Sequence, residues 1–339
     1  MSAPLAGRSR FARLRSRYRR RFVHRLGLGF VLALFAVALL ADFIASDKPL
    51  AVRRGGQTWL FPNLTDPKEL RQEDNQSLRA SLHREAGDWM LEPPVPFGPY
   101  RTDLGLAQLP EGPSERHLLG TDETGRDVAA RLVHGTRVSL AVGLVAVALY
   151  VLIGVLLGAV AGYFGGAVDL VVSRGVEVML TFPTLFLVLA LMAVIPRPTL
   201  THLVLVLGLT RWPDVARLMR AEVLRVKELE FVTAARALGA SELRILFRHV
   251  VPNCLAPVMV AAAFGVAGAV LLESALSFLG FGAPPPTASW GEILMQAHRY
   301  VTSPGAWWLA LFPGAAIFLT VTAYNLVGEG LQEALDPRL

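Results

Sequence analysis

Residues 138–168 read VSLAVGLVAVALYVLIGVLLGAVAGYFGGAV, an interval between Arg137 and Asp169 that holds no Asp, Glu, Lys or Arg. At 1.5 Å per residue, a helix of this length exceeds the ~30 Å hydrocarbon core of a bilayer, so the chain is read as crossing a membrane. Within it Gly154, Gly158 and Gly162 recur at every fourth position. That spacing puts a strip without side chains on one helix face, where a neighbouring backbone can approach closely. The strip is assigned to bundle packing rather than to a ligand.

Outward from this interval, the 339 residues are 53% hydrophobic and 18% charged, against roughly 45–50% and about 25% for soluble domains. Leu26 to Ser46 holds one charge, Asp42, and makes a first span. A cleaved signal peptide competes, but the basic lead is long and no A-x-A site follows, so an uncleaved anchor is preferred. Val178 to Ile195 is a third span with Pro183 inside it, a kink that neighbouring helices can accommodate. Leu255 to Leu279, interrupted by Glu273, and Trp307 to Val327 complete the strong signals. Between Arg197 and Arg211 the uncharged run is short enough to be a buried or re-entrant segment.

Charge settles that ambiguity. Arg8, Arg10, Arg13, Arg15, Arg17, Arg19, Arg20, Arg21 and Arg25 precede the first span, and a second basic cluster runs from Arg211 to Arg248. A nucleic-acid binder would spread such charge over a folded face; short basic flanks of spans instead stay in the cytoplasm. Returning from one basic flank to the other takes an even number of crossings, so the weak segment, extended to about Met219, is read as a fourth span. The expected fold is an all-α integral membrane protein of six transmembrane helices with both termini cytoplasmic. Its parts are a basic tail (1–25), helix 1 (26–46), an extracytoplasmic insert (47–137), a five-helix core (138–328) containing a cytoplasmic loop (220–254), and a C-terminal tail (329–339). Trp290, Tyr300, Trp307 and Trp308 suit an outer interfacial belt. The insert is proline-rich and carries Trp59 and Trp89, which are expected to order part of it.

Chemistry is conspicuous by what is missing. The seven histidines form no H-E-x-x-H pair, and no G-x-S-x-G elbow is present. Lys48, Lys68 and Lys227, the only lysines, follow no G-x-x-x-x-G, so this chain has no Walker loop. The one cysteine, Cys254, excludes an intramolecular disulfide and reads as a small packing residue. Any ATP and Mg used would be bound by another chain, and no cofactor or metal is expected in this one.

In Glu230 to Asn253, Phe231, Ala234, Ala235 and Leu238 fall on one helical face, and Leu243, Leu246, Phe247 and Val250 on another. Gly239 can take the left-handed conformation that ends a helix, Ser241 can cap the next, and Pro252 would limit it. Two short amphipathic helices around a glycine turn can lie on their own protein or fill a groove on a partner.

This stretch resembles the A-A-x-x-x-G signature of permease subunits in binding-protein-dependent ABC importers, carried here by Ala234, Ala235, Gly239 and Ala240. Leu119-Gly120-Thr121-Asp122 with Gly125-Arg126-Asp127 resembles a motif of the dipeptide and oligopeptide permeases. So do Phe247 to Asn253, Glu273 to Gly280, Ser289-Trp290-Gly291 and Ala334 to Pro337. The resemblance covers nearly the whole chain. It implies docking onto two ABC ATPase subunits or domains through Phe231, Ala234, Ala235, Leu238, Gly239, Ala240, Leu243 and Phe247. It also implies pairing with a second homologous permease, delivery of peptide by an extracytoplasmic binding protein, and a bacterial inner membrane. Two departures stand out: Thr233 occupies a position where the signature often has Glu, and the long insert resembles the microcin C-type variety.

Glu273 lies inside a span, where a charge costs roughly 2.5–3.5 kcal/mol on insertion scales; it either borders the translocation path or bonds to a neighbouring helix. As a proton site it would suit the alternative function, an ion-gradient-driven transporter or channel. Glu177 and Asp42 are placed near span ends, reaching headgroups or solvent. Arg211, Asp214 and Arg217 are spaced to pair on one face as boundary anchors.

Overall fold

The structure, a computed structural model, describes residues 21–82, 87–106, 108–282, 284, 286–300 and 305–335. The arginine-rich lead through Arg20, and Asp336 and Pro337 of the C-terminal motif, lie outside them. Its principal helices are α1 (Phe22–Leu39), α2 (Val128–Phe164), α3 (Gly166–Thr181), α4 (Thr184–Val194), α5 (Leu200–Thr210), α6 (Trp212–Val226), α7 (Glu230–Ala237), α8 (Glu242–Phe278), α9 (Trp290–Arg299) and α10 (Trp308–Leu335). Among the described residues, α1, α2, α8 and α10 are each long and apolar enough to cross a membrane.

Several boundaries differ from the sequence reading. The expected third span is two helices, α3 and α4, bent by 87°. Pro183 has no N–H for the ladder and pushes Phe182 to extended backbone (φ −91°, ψ 128°), so the chain breaks there instead of kinking. The fourth stretch also divides. Thr199 caps α5 in a reciprocal box with His202, Arg211 leaves helical geometry (φ −103°, ψ 3°), and α6 restarts with Pro213 in its first turn. α6 is amphipathic, burying Val215, Ala216, Met219, Val223 and Val226. α2 begins at Val128, within the stretch read as insert, and α10 carries the chain to Leu335, through much of the expected tail.

The chain divides into two compact units. In the first, built from residues through Val31, 142–272 and 320–339, the glycine strip packs α2 onto α6. A Cβ on Gly158 would lie 2.3 Å from the Ala216 carbonyl oxygen, and on Gly162 2.8 Å from that of Arg220. Lys227 donates from Nζ to the Gly162 carbonyl at 3.0 Å, and Arg220 binds Asp169 of α3 through Nη2 at 2.6 Å.

The second unit comprises residues 32–141 and 273–319. Here the all-α frame carries a three-stranded sheet in the order β2-β1-β3, with β1 Ala51–Arg54, β2 Gln57–Leu60 and β3 Trp89–Leu91, both pairings antiparallel. Gly55 and Gly56, both at positive φ, form the two-residue hairpin turn. Val52, Leu70 and Leu78 form the core beneath it, flanked by Trp59 and Met90; Trp89 is exposed. Trp290 and Trp308 are buried rather than interfacial, and their indole N–H groups donate to the carbonyls of Leu132 and Thr121, each at 3.0 Å.

The Leu119 to Asp127 motif acts as a folding device in this unit. Gly120 sits at φ +76°, where a Cβ would lie 2.7 Å from Nε1 of Trp308. Asp122 accepts from the backbone of Thr124 and Arg126 and from Arg126 Nε at 2.6 Å. Asp127 accepts from the Ala130 N–H at 2.7 Å, closing the first turn of α2, and its other oxygen meets Nδ1 of His117 at 2.8 Å. Burial opposes charge on His117, but Asp127 and Asp103 outweigh it and hold its pKa above the ordinary value of 6.5. Arg131, fully buried, pairs with Glu292 and lies 3.4 Å from Asp122.

Removing one member of a buried pair strands the other. Arg131→Met should therefore cost about 3–5 kcal/mol and lower the thermal unfolding temperature of the purified protein sharply. The double variant Arg131→Met/Glu292→Met should recover much of the loss; equal damage from both would show that the pairing is not what this region relies on.

Candidate functional site

The A-A-x-x-x-G segment forms the turn that its glycine demands. α7 ends in a Schellman motif: Gly239 N–H donates to the Arg236 carbonyl at 3.0 Å, and Ala240 N–H to that of Ala235 at 3.2 Å, with Gly239 at φ +77°. No atom lies within 4 Å of a Cβ built on Gly239, so conformation rather than crowding within this chain selects glycine. Ser241 occupies the cap position of α8 without a side-chain bond to the helix.

The apolar residues of the segment separate by exposure. Leu238 is 88% exposed and Leu243 61%, and Phe231 and Phe247 are also exposed. Ala234 joins them, while Ala235 and Ala240 are half-buried. Leu246 and Val250, expected on the same face as Leu243 and Phe247, are instead fully buried with Ile245. The cause is local: residues Leu246–Val250 form a π turn. Pro252 lacks an N–H, and its ring would crowd the Arg248 carbonyl of a regular helix. The wider turn opens the ladder ahead of it, so α8 runs on to Phe278 and Pro252 does not end it.

Polar contacts hold the segment to the first unit. Glu242 accepts from the Tyr163 hydroxyl at the end of α2 and from Arg236 Nε at 3.1 Å. Val232, fully buried, anchors α7 from the opposite side. Sequence reasoning passed over Val232 because it lies off the face defined by its neighbours, a signal that could have marked it as the inward residue. Thr233 is exposed, and Glu230 is the acid of the first turn.

Glu273 lies in the second unit, fully buried. Its Oε1 accepts from Ser277 at 2.8 Å, and Oε2 lies 3.4 Å from the hydroxyls of Ser139 and Ser274. The Glu273 to Gly280 and Ser289-Trp290-Gly291 motifs meet here: a Cβ on Gly291 would lie 2.5 Å from the Ser274 carbonyl oxygen. Asp42 pairs with Arg137 at 2.8 Å, and Glu177 with Arg174. The expected Arg211, Asp214 and Arg217 group separates, Asp214 reaching Arg217 at 3.8 Å. Among the described residues no group of three His, Cys, Asp or Glu side chains is placed to hold a metal ion.

Residues 154–339, which include α6, the Schellman turn and α8, match the family described as the binding-protein-dependent transport system inner membrane component. The chain belongs to this family and is a multi-pass membrane permease subunit. It is 41% identical over 248 residues to the dipeptide transport system permease protein DppC of Alkalihalophilus pseudofirmus, covering 72% of this chain and 81% of that one. The di/tripeptide transport system permease protein DppC of Pseudomonas aeruginosa is 42% identical, with 68% and 75% covered. The inner membrane ABC transporter permease protein YejE of Escherichia coli is 35% identical over 320 residues, with 91% and 92% covered. Among solved structures, an inward-facing MetNI methionine ABC transporter is similar at 19% identity and a TM-score of 0.46, over 59% of this chain and 96% of that one.

The serine shell around Glu273 sets up a contrast between two replacements. Glu273→Gln can keep an acceptor for Ser277, so complex yield and uptake should stay near wild type. Glu273→Leu strands the hydroxyls at about 1–3 kcal/mol each and should lower the yield of folded complex on size-exclusion chromatography. A Gln variant that assembles normally but transports nothing would make Glu273 a proton site.

Proposed function

We propose that this chain is one permease subunit of an ATP-driven peptide importer, itself without catalytic activity. It pairs with a second homologous permease, docks two ABC ATPase subunits or domains, and receives peptide from an extracytoplasmic binding protein. The observation that carries the reading is the exposed apolar surface of Phe231, Leu238, Leu243 and Phe247 around the Gly239 turn, in a chain whose relatives are peptide permeases. Closure of the ATPases on ATP moves this segment; the Glu242–Tyr163 contact and the α2–α6 packing pass the movement to the spans, which alternate the side to which the path opens. Nucleotide drives that equilibrium only through different affinities for the two arrangements.

In the proposed topology six crossings leave residues 47–137 outside the inner membrane and residues 220–254 inside, the bent α3–α4 pair and α5 supplying the crossings that no single long helix provides. The E. coli relative, matched over 91% of the chain, supports an insert shared with that permease; a substrate of the microcin C type is proposed from the resemblance of the insert that opens at Ser46 to Leu50. In a Cys254→Ser background, Ala80→Cys should react with an impermeant maleimide in spheroplasts and Ser241→Cys should not; the opposite pattern would overturn the orientation.

Coupling is tested at Gly239. A β-branched residue at φ +77° pays about 1–2 kcal/mol or more of backbone strain, or abandons the turn. Gly239→Val should insert and assemble its spans normally yet lose peptide-stimulated ATP hydrolysis and uptake together in proteoliposomes. Leu238→Asp should weaken ATPase co-purification by placing a charge in an apolar contact. Wild-type activity in both variants would remove the segment as the link to the motor.

A further inference from the structure

Within the first unit a cavity of about 270 Å³ is lined by Tyr150 of α2, Arg211, Asp214 and Val215 at the α5–α6 break, and Ala261, Phe264 and Gly265 of α8. Tyr150 lies about 20 Å from the Phe164 end of α2, and Phe264 about 20 Å from the Phe278 end of α8, at 1.5 Å per residue; the cavity is thus deep within two membrane-length helices. The shape of α8 there depends on two glycines. A Cβ on Gly265 would lie 1.7 Å from the Tyr150 hydroxyl oxygen, and one on Gly268 3.0 Å from Arg211 Nη1. Small residues on α8 therefore leave room for the polar heads of Tyr150 and Arg211.

Arg211 is the anomaly. Every other buried or half-buried arginine described above has its counter-ion: Arg126 has Asp122, Arg131 has Glu292, Arg220 has Asp169, and Arg137 has Asp42. Among the described residues the Arg211 guanidinium is within ion-pair distance of no carboxylate, and Asp214, one turn on, reaches only Arg217. A charge held at membrane depth without a partner is costly, and in such settings marks a path for a charged solute. The α5–α6 break adds the free N–H groups of the α6 start, a favourable field for an anion. A guanidinium presents a planar fork that matches a carboxylate.

We propose that this cavity is a transit site for the charged ends of the cargo, Arg211 taking the carboxylate of a peptide with a free C-terminus and Asp214 the ammonium of its N-terminus. The volume suits one or two residues of peptide at a time, below the ~300–1,000 Å³ of drug-sized pockets. This makes Arg211 a specificity-determining residue in the permease, separate from the selection made by the binding protein. The inference rests on the peptide-importer reading above.

The test uses the complete reconstituted importer with tri-alanine as probe, at saturating loaded binding protein. Arg211→Gln should lower uptake about tenfold or more, the scale of losing a charge-assisted bond, while assembly and basal ATP hydrolysis stay at wild type. Arg211→Lys should fall between the wild type and the Gln variant, because the charge persists while the planar fork is lost. A second, binding-protein-free measurement reads the cavity directly: in a Cys254→Ser/Ala261→Cys background, millimolar tri-alanine should slow labelling by a small maleimide. Tri-alanine amide should slow it less, and Arg211→Gln should abolish the difference. Wild-type uptake in the Gln variant, equal loss in Gln and Lys, or protection indifferent to Arg211 would each overturn the proposal. Absence of ATP-driven tri-alanine uptake in the wild-type complex would instead strike the importer reading, and the labelling experiment would still report on the cavity.

Discussion

The Ala216 carbonyl leaves no space for a side chain at Gly158: a Cβ there would sit 2.3 Å away. Because Gly154, Gly158 and Gly162 all meet α6 in this way, α2 and α6 approach to backbone contact, closer than side chains anywhere else on α2 would permit. Everything cytoplasmic in the proposed mechanism follows from that contact. α6 leads directly into α7, and the same end of α2 supplies Tyr163 to Glu242 and the Gly162 carbonyl to Lys227. The proposed docking segment, with so much exposed apolar surface, would otherwise swing freely, and force applied to it would be lost in bending.

The second unit solves a different problem, that of placing charge where water is scarce. Asp122, Arg126, Arg131 and Glu292 are all buried, and each is matched in sign and bonded. Buried pairs of this kind add little net stability over apolar residues of the same shape, but they penalise every arrangement in which a partner is missing. They therefore fix how the start of α2 meets α9. The Gly120 turn under Trp308 and the Ser274 carbonyl over Gly291 complete that register with contacts too short for any other residue.

How far the sequence speaks depends on the range of the interaction. The long spans, the glycine strip and the Gly239 turn were legible because each is written in a local pattern of polarity or in a residue with one conformational use. The breaks at Pro183 and Arg211 were only half legible: proline announced a disturbance, but whether a helix kinks or breaks is decided by which neighbours can satisfy its open carbonyls. Trp290 and Trp308 were misassigned to an interfacial belt because an amphipathic ring looks the same whether its N–H meets water or the carbonyls of Leu132 and Thr121. The sheet β2-β1-β3 rests on strands of three or four residues, too short to show alternation, and Arg131 meets Glu292 across a sequence separation of 161 residues.

The π turn in α8 has a consequence for rotational phase. Leu246, Val250, Cys254 and Val258 are all fully buried at intervals of four residues. On a straight α-helix each such step advances about 40°, so this stripe would wind about 120° around the axis. One wider turn takes back part of the drift, so a single buried edge continues from the start of α8 along its length while Leu243 and Phe247 stay on the outside. Without that wider turn the buried edge would drift about 40° at each four-residue step and carry the packed side of the span round toward the face on which Leu243 and Phe247 lie.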